Sequence, residues 1–140
     1  MSDSRERDAI LSRLKEELQH HPVVTQVRFR PSAISARNLE VELDPIRFDS
    51  GERSRTATLD VRWHPKDGDD WFRIHYSDPA TGFDCGWHQD DDHPELGPAH
   101  FQWRDGDEAP TRESVRFSHE TPVGILWECL ERLETAIEER

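Results

Sequence analysis

Between Trp71 and Trp103 the chain reads WFRIHYSDPATGFDCGWHQDDDHPELGPAHFQW. Trp71 to Tyr76 and Phe83 to His88 alternate apolar with polar residues around segment 77–82, which is rich in Asp, Pro and Gly; this is the pattern of a β-hairpin. Beyond His88 the alternation breaks. Asp90, Asp91, Asp92, His93, Pro94 and Glu95 precede a break at Gly97 and Pro98, so a loop dense in titratable groups must join the Phe83 strand to the next one at His100. If the chain does chemistry, that loop is where it is expected.

Working outward, the same alternation recurs. Leu59, Val61 and Trp63 share one face of a strand from Arg55 to Trp63, and the Asp67-Gly68 turn after it predicts antiparallel pairing with the strand at Trp71. Upstream, Val23, Thr25, Val27 and Phe29 line one face of a strand from Val23 to Arg30. Leu39, Val41 and Leu43 line the next one, which Asp44-Pro45 closes. The segment from Arg47 to Ser54 reads as an exposed loop. Downstream, His100 to Trp103 and Ser114 to Phe117 bracket the polar run RDGDEAPTRE as a long-looped hairpin.

Helices are predicted at both ends. After a charged leader, residues 1–7, expected to fray, Asp8 to His20 places Ile10, Leu11, Leu14 and Leu18 on one stripe, and Pro22 stops it. His20 and His21 then sit where imidazoles suit a helix C-terminus, which explains them without a metal. Thr121 as N-cap and Pro122 at the first helical position start a helix to about Glu139. Its apolar stripe is Val123, Leu126, Trp127, Leu130, Leu133 and Ile137. The expected architecture is one α+β domain over residues 1–140: an antiparallel meander sheet with the N-terminal and C-terminal helices packed on one face.

Composition bounds the setting. Of 140 residues, 30 are acidic and 18 basic, a formal net charge of -12, and Lys15 and Lys66 are the only lysines. An acid-rich, lysine-poor surface suits strong brine, where screening removes the self-repulsion of neighbouring carboxylates. Five Trp and six Phe spread through the elements supply burial that the aliphatic content alone would not. Cys85 and Cys129 have neither redox nor zinc spacing, no apolar run reaches the length of a membrane span, and MSDSRERD lacks the features of a signal peptide; a cytoplasmic protein is expected.

The loop QDDDHPELGPAH matches neither an EF-hand nor a zinc motif, and three adjacent aspartates arise readily in so acidic a chain; no metal and no cofactor are assigned. His93 and His100, with Glu95 close by and Arg104 downstream, are the right groups for general acid and base work on a phosphodiester. Imidazole titrates near neutrality, and guanidinium can fork onto the anionic centre. The two histidines are expected at one rim of the sheet, within reach of a single bound group, with Arg104 or Arg73 nearby.

The series RIHYSDPATGFDCGWHQDDDHPEL, followed by Ala99-His100, an acidic Asp-Gly turn and a C-terminal helix, resembles the TumE family of small toxins from bacterial and archaeal toxin-antitoxin operons. His75 and Tyr76 match its aromatic strand. Asp92 to Leu96 matches a segment reading HHPEL, with Asp92 in place of the first histidine, and Pro98 with His100 matches a histidine cluster before the helix. The resemblance covers the second half of the chain. Taken with the acidic composition, which points to a haloarchaeal source, it implies a divergent member that acts on RNA as a metal-independent ribonuclease, with a cognate antitoxin as partner. The alternative is a non-catalytic module that holds a partner protein on the same loop and sheet face. Oligomeric state is left open.

Overall fold

The computed structural model describes residues 2–32, 36–45 and 56–139. Element order is α1 (Ser2–Gln19), β1 (Val24–Pro31), β2 (Ala36–Leu43), β3 (Ala57–His64), β4 (Trp71–Asp78), β5 (Phe83–Gln89), β6 (Ala99–Asp105), β7 (Thr111–Ser114) and α2 (Pro122–Glu138). The strands form one seven-stranded sheet in sequence order, every neighbouring pair antiparallel. This is the expected α+β meander. The loop expected from Arg47 to Ser54 lies outside the described residues.

Period-two patterning decides which face is covered. Leu39, Val41, Leu59, Val61, Trp63, Ile74, Tyr76, Cys85 and Trp87 point inward and join Leu11, Leu14 and Leu18 of α1 and Leu126, Leu130 and Leu133 of α2 in one core. Both helices therefore cover the same face. Each such side chain removed from water contributes roughly 1.5–3 kcal/mol. Across the β3–β4 hairpin, Trp63 stacks on Phe72 with ring centroids 4.6 Å apart. Asp70 fixes that turn by accepting from Trp63 Nε1 at 2.9 Å and from the Lys66 amide at 3.0 Å.

Four details differ from the sequence reading. Helix α1 starts at Ser2 rather than Asp8. In β1 the register jumps between Val24↔Leu43 and Gln26↔Glu42, so Thr25 is an extra residue in a bulge and Val24, not Thr25, faces the core. The last strand is Thr111–Ser114 rather than Ser114 to Phe117. Residues after Ser114 leave the sheet because Phe117 turns toward the core, meeting Phe72 edge-on at 5.6 Å, under the Arg132 guanidinium. Finally, Trp127 is 38% exposed instead of lying in the buried stripe, where Ile125 and Cys129 sit. Its indole spans to α1, donating to Glu17 Oε2 at 3.3 Å.

Among the described residues no helix is long and apolar enough to cross a membrane.

Candidate functional site

Strand alternation sends a second set of side chains to the face without helices. The register aligns Arg73, His88, His100 and Ser114 in one row across β4 to β7, and His75, Gly86, Gln102 and Arg112 in the next. His75 leans across Gly86 toward His88. A Cβ built on Gly86 would lie 2.3 Å from His75 Nδ1, so only glycine permits this approach. His75 Nδ1 and His88 Nε2 are 3.1 Å apart, and His75 Nε2 lies 3.0 Å from Asp84 Oδ1. The His88 and His100 rings meet edge-to-face at 5.1 Å, and those of His100 and His93 at 4.9 Å.

The loop between β5 and β6 brings His93 there. Asp90 donates its amide to Pro98 O, which closes the loop base. Asp90 Oδ1 caps the Asp92 amide at 3.0 Å, and a 3₁₀ turn follows at Pro94–Leu96. Ser114 Oγ donates to Leu96 O at 2.6 Å, tying the turn to β7. Proline at the first position of the turn and glycine after it, at φ 91°, suit so tight a reversal. A cleft of about 550 Å³ borders the same loop at Gln89, Pro98 and Ala99 and runs to Arg116, His119 and Glu120.

The result is a row of four imidazoles with a carboxylate at each end. His75, His88 and His100 are buried, His100 to 2% exposure, whereas the His93 side chain is 29% exposed and bonded through Nδ1 to Glu95 Oε1 at 3.3 Å. Burial pushes the pKa of His88 down to about 3, helped by Arg73, His75, His100 and Arg112 around it. Loss of water also lowers His75, with Arg73 adding to the effect and Asp84 opposing it, and it lowers His100 against the pull of Gln102 and Asp90. These three rings are neutral at physiological pH. The Glu95 carboxyl is held below its usual range by its own backbone N–H and by His93.

His93, Glu95 and His100 are thus brought together. Arg104 is not with them. It sits at the far end of the row, its Nε and Nη2 both 3.0 Å from Asp84 Oδ2. The guanidinium groups whose charge acts on His88 are Arg73, opposite it and 3.8 Å from Asp60, and Arg112, which also acts on His100 and donates to Gln102 Oε1 at 3.3 Å. Sequence reading missed Asp84, Gly86, His88, Gln102 and Arg112 as site residues, although the parity that turns Phe83, Cys85 and Trp87 inward already turns Asp84, Gly86 and His88 outward. What it lacked was the register that sets His88 opposite His100. Among the described residues no group of three or more His, Cys, Asp or Glu side chains is arranged to hold a metal ion. Comparison with protein-family models, with curated proteins and with solved structures gives no match.

Proposed function

We propose that the uncovered sheet face is the working surface of a toxin-like protein of the TumE kind, acting on RNA in a salt-rich cytoplasm without a metal. The observation that carries this reading is the exposed His93 ring, bonded to Glu95 and resting edge-on against His100. With Glu95 accepting from Nδ1–H, His93 Nε2 is the nitrogen left to act as base. It would take the proton of a ribose 2′-hydroxyl as that oxygen attacks the adjacent phosphorus; the 5′-oxygen leaves and is protonated by solvent. Arg73 and Arg112 are the cations placed to steady the phosphate, a role the sequence assigned to Arg104. His100, behind His93, acts as a positioning residue.

The test is cleavage of an end-labelled single-stranded RNA in the presence of a chelator, by the full chain and by His93→Ala. The expected products carry a 2′,3′-cyclic phosphate, and the variant should lose on the order of 100-fold in rate. Intact RNA at high protein concentration would reject the reading.

One observation favours the non-catalytic alternative: three of the four imidazoles are buried, so a single ring faces solvent. On that reading the mixed charges of the outer face, with Arg28 on Glu42, Arg30 on Glu40 and Arg62 on Asp60, meet a partner protein such as an antitoxin. Induced expression with and without the neighbouring gene separates the two. Growth arrest relieved by the neighbour and abolished by His93→Ala supports catalysis, whereas neighbour binding without RNA cleavage supports the module.

A further inference from the structure

We propose that Asp84, His75 and His88 form an ordered hydrogen-bond relay at the site and are positioning residues for His100, whose ring packs edge-on against His88. This rests on the reading of the outer face as that site. The order follows from which atoms can donate. An ionised carboxylate only accepts, so His75 Nε2, 3.0 Å from Asp84 Oδ1, carries a hydrogen. A neutral His75 then has a bare Nδ1, and His88 Nε2, 3.1 Å away, must donate to it. His88 is left with its Nδ1 unprotonated.

A second acceptor orders the third ring. Gln102 Oε1 receives the Arg112 Nε–H at 3.3 Å, which identifies it as the amide oxygen, so His100 Nε2, 3.4 Å from it, is also a donor. All three buried imidazoles therefore hold the same Nε2–H form, two governed by Asp84 and one by Gln102. The groups facing this row from each neighbouring element are Asp60, Arg73, Asp84, Arg104, Arg112, Asp90 and His93. Of these, only Asp84 accepts a hydrogen from a buried ring.

Two features mark the relay as built. Gly86 opens the space into which His75 leans, in the middle of a strand where glycine otherwise weakens packing. Arg104 binds Asp84 through Oδ2 with two donors, leaving Oδ1 for His75. Arg104, placed by sequence at the phosphate, thus orients the carboxylate that orients the histidines.

The same arrangement yields a discriminating variant. In Asp84→Asn, the two Arg104 donors claim the amide oxygen, so the NH₂ group must face His75. Its Nε2 becomes an acceptor, its Nδ1 takes the hydrogen, and His88 is forced to receive at Nε2 and carry its hydrogen at Nδ1. His100, held by Gln102, keeps its form.

Imidazole ¹⁵N shifts of the full labelled chain, assigned through long-range proton correlations near neutral pH, read these states directly. Wild type should show Nε2–H at His75, His88 and His100. Asp84→Asn should exchange the two nitrogen signals of His75 and His88 together, and displace without exchanging those of His100, whose ring packs on His88. An Nδ1–H His88 in wild type overturns the relay whether or not the variant folds. A folded variant with His88 unchanged does the same, and undisplaced His100 signals overturn the positioning role. No RNA enters the measurement, so failure of the relay is distinct from failure of the ribonuclease reading.

Discussion

His88 bears the largest electrostatic burden of the row: it has lost water, lies opposite Arg73 and has another imidazole on either side. Its folded pKa of about 3 is below the ordinary 6.5. As pH falls through the ordinary value the unfolded chain takes up a proton that the folded chain refuses until about 3. The contribution to stability is thus complete above the ordinary value and is lost as pH falls toward the folded one. His75 and His100 shift in the same direction. Glu95 and Glu128, also lowered, act with the same sign, but only below the carboxylate range. A fall from about pH 7 to about pH 5 therefore isolates the histidines, and denaturant titrations should lose on the order of a few kcal/mol across it. A flat profile would mean that water reaches the row. His93 and His100 were legible because they crowd one short stretch; His88 was not, because its environment is made by residues distant in sequence, aligned only through the register.

Among the elements, the most legible were those whose pattern is local. Alternation predicts every strand from β1 to β6, and Thr121 with Pro122 predicts the start of α2, where the threonine hydroxyl accepts from the Gly124 amide at 3.1 Å. Departures occur where tertiary contacts override the pattern. Val115 and Phe117 continue the alternation of β7 but serve the connector to α2, and that connector is held by a buried acid. Glu128 accepts from the Ser118 amide at 2.9 Å, the His119 amide at 2.7 Å and His119 Nδ1 at 2.6 Å, while Arg132 donates to Arg116 O at 2.8 Å. Nothing in the helical spacing distinguishes Glu128 from its solvent-facing neighbours; only the returning chain does. Glu128→Ala leaves those donors without their acceptor and should destabilise the fold by about 1–3 kcal/mol in urea titration. Limited proteolysis should then cut first between Val115 and Glu120. An unchanged midpoint and cleavage pattern would show that the connector is held by Phe117 packing alone.

At the scale of the molecule, the sheet divides an apolar side under two helices from a polar side of paired charges, and the whole carries a net charge of -12. Added salt acts on these in opposite directions. It weakens exposed pairs such as Arg28–Glu42, Arg30–Glu40 and Arg62–Asp60, each worth roughly 0–1 kcal/mol. It also screens the excess negative charge, because the Debye length falls from about 10 Å at 0.1 M to about 3 Å at 1 M. These pairs are half exposed, whereas acidic side chains outnumber basic ones 30 to 18 and lie on both helices as well as the loops: Glu131, Glu134 and Glu138 line the outer side of α2, and Asp90, Asp91 and Asp92 precede His93. Repulsion among them acts in every salt-poor buffer and is relieved throughout the surface at once, so screening should win. The thermal midpoint is therefore expected to rise steadily as KCl is raised from about 0.1 M to about 2 M, with near-UV aromatic dichroism, dominated by Trp63 and Trp87 in the core, strengthening in parallel. A midpoint that falls with salt would show that the ion pairs of the outer face govern stability, and would remove the physical basis for assigning the chain to brine.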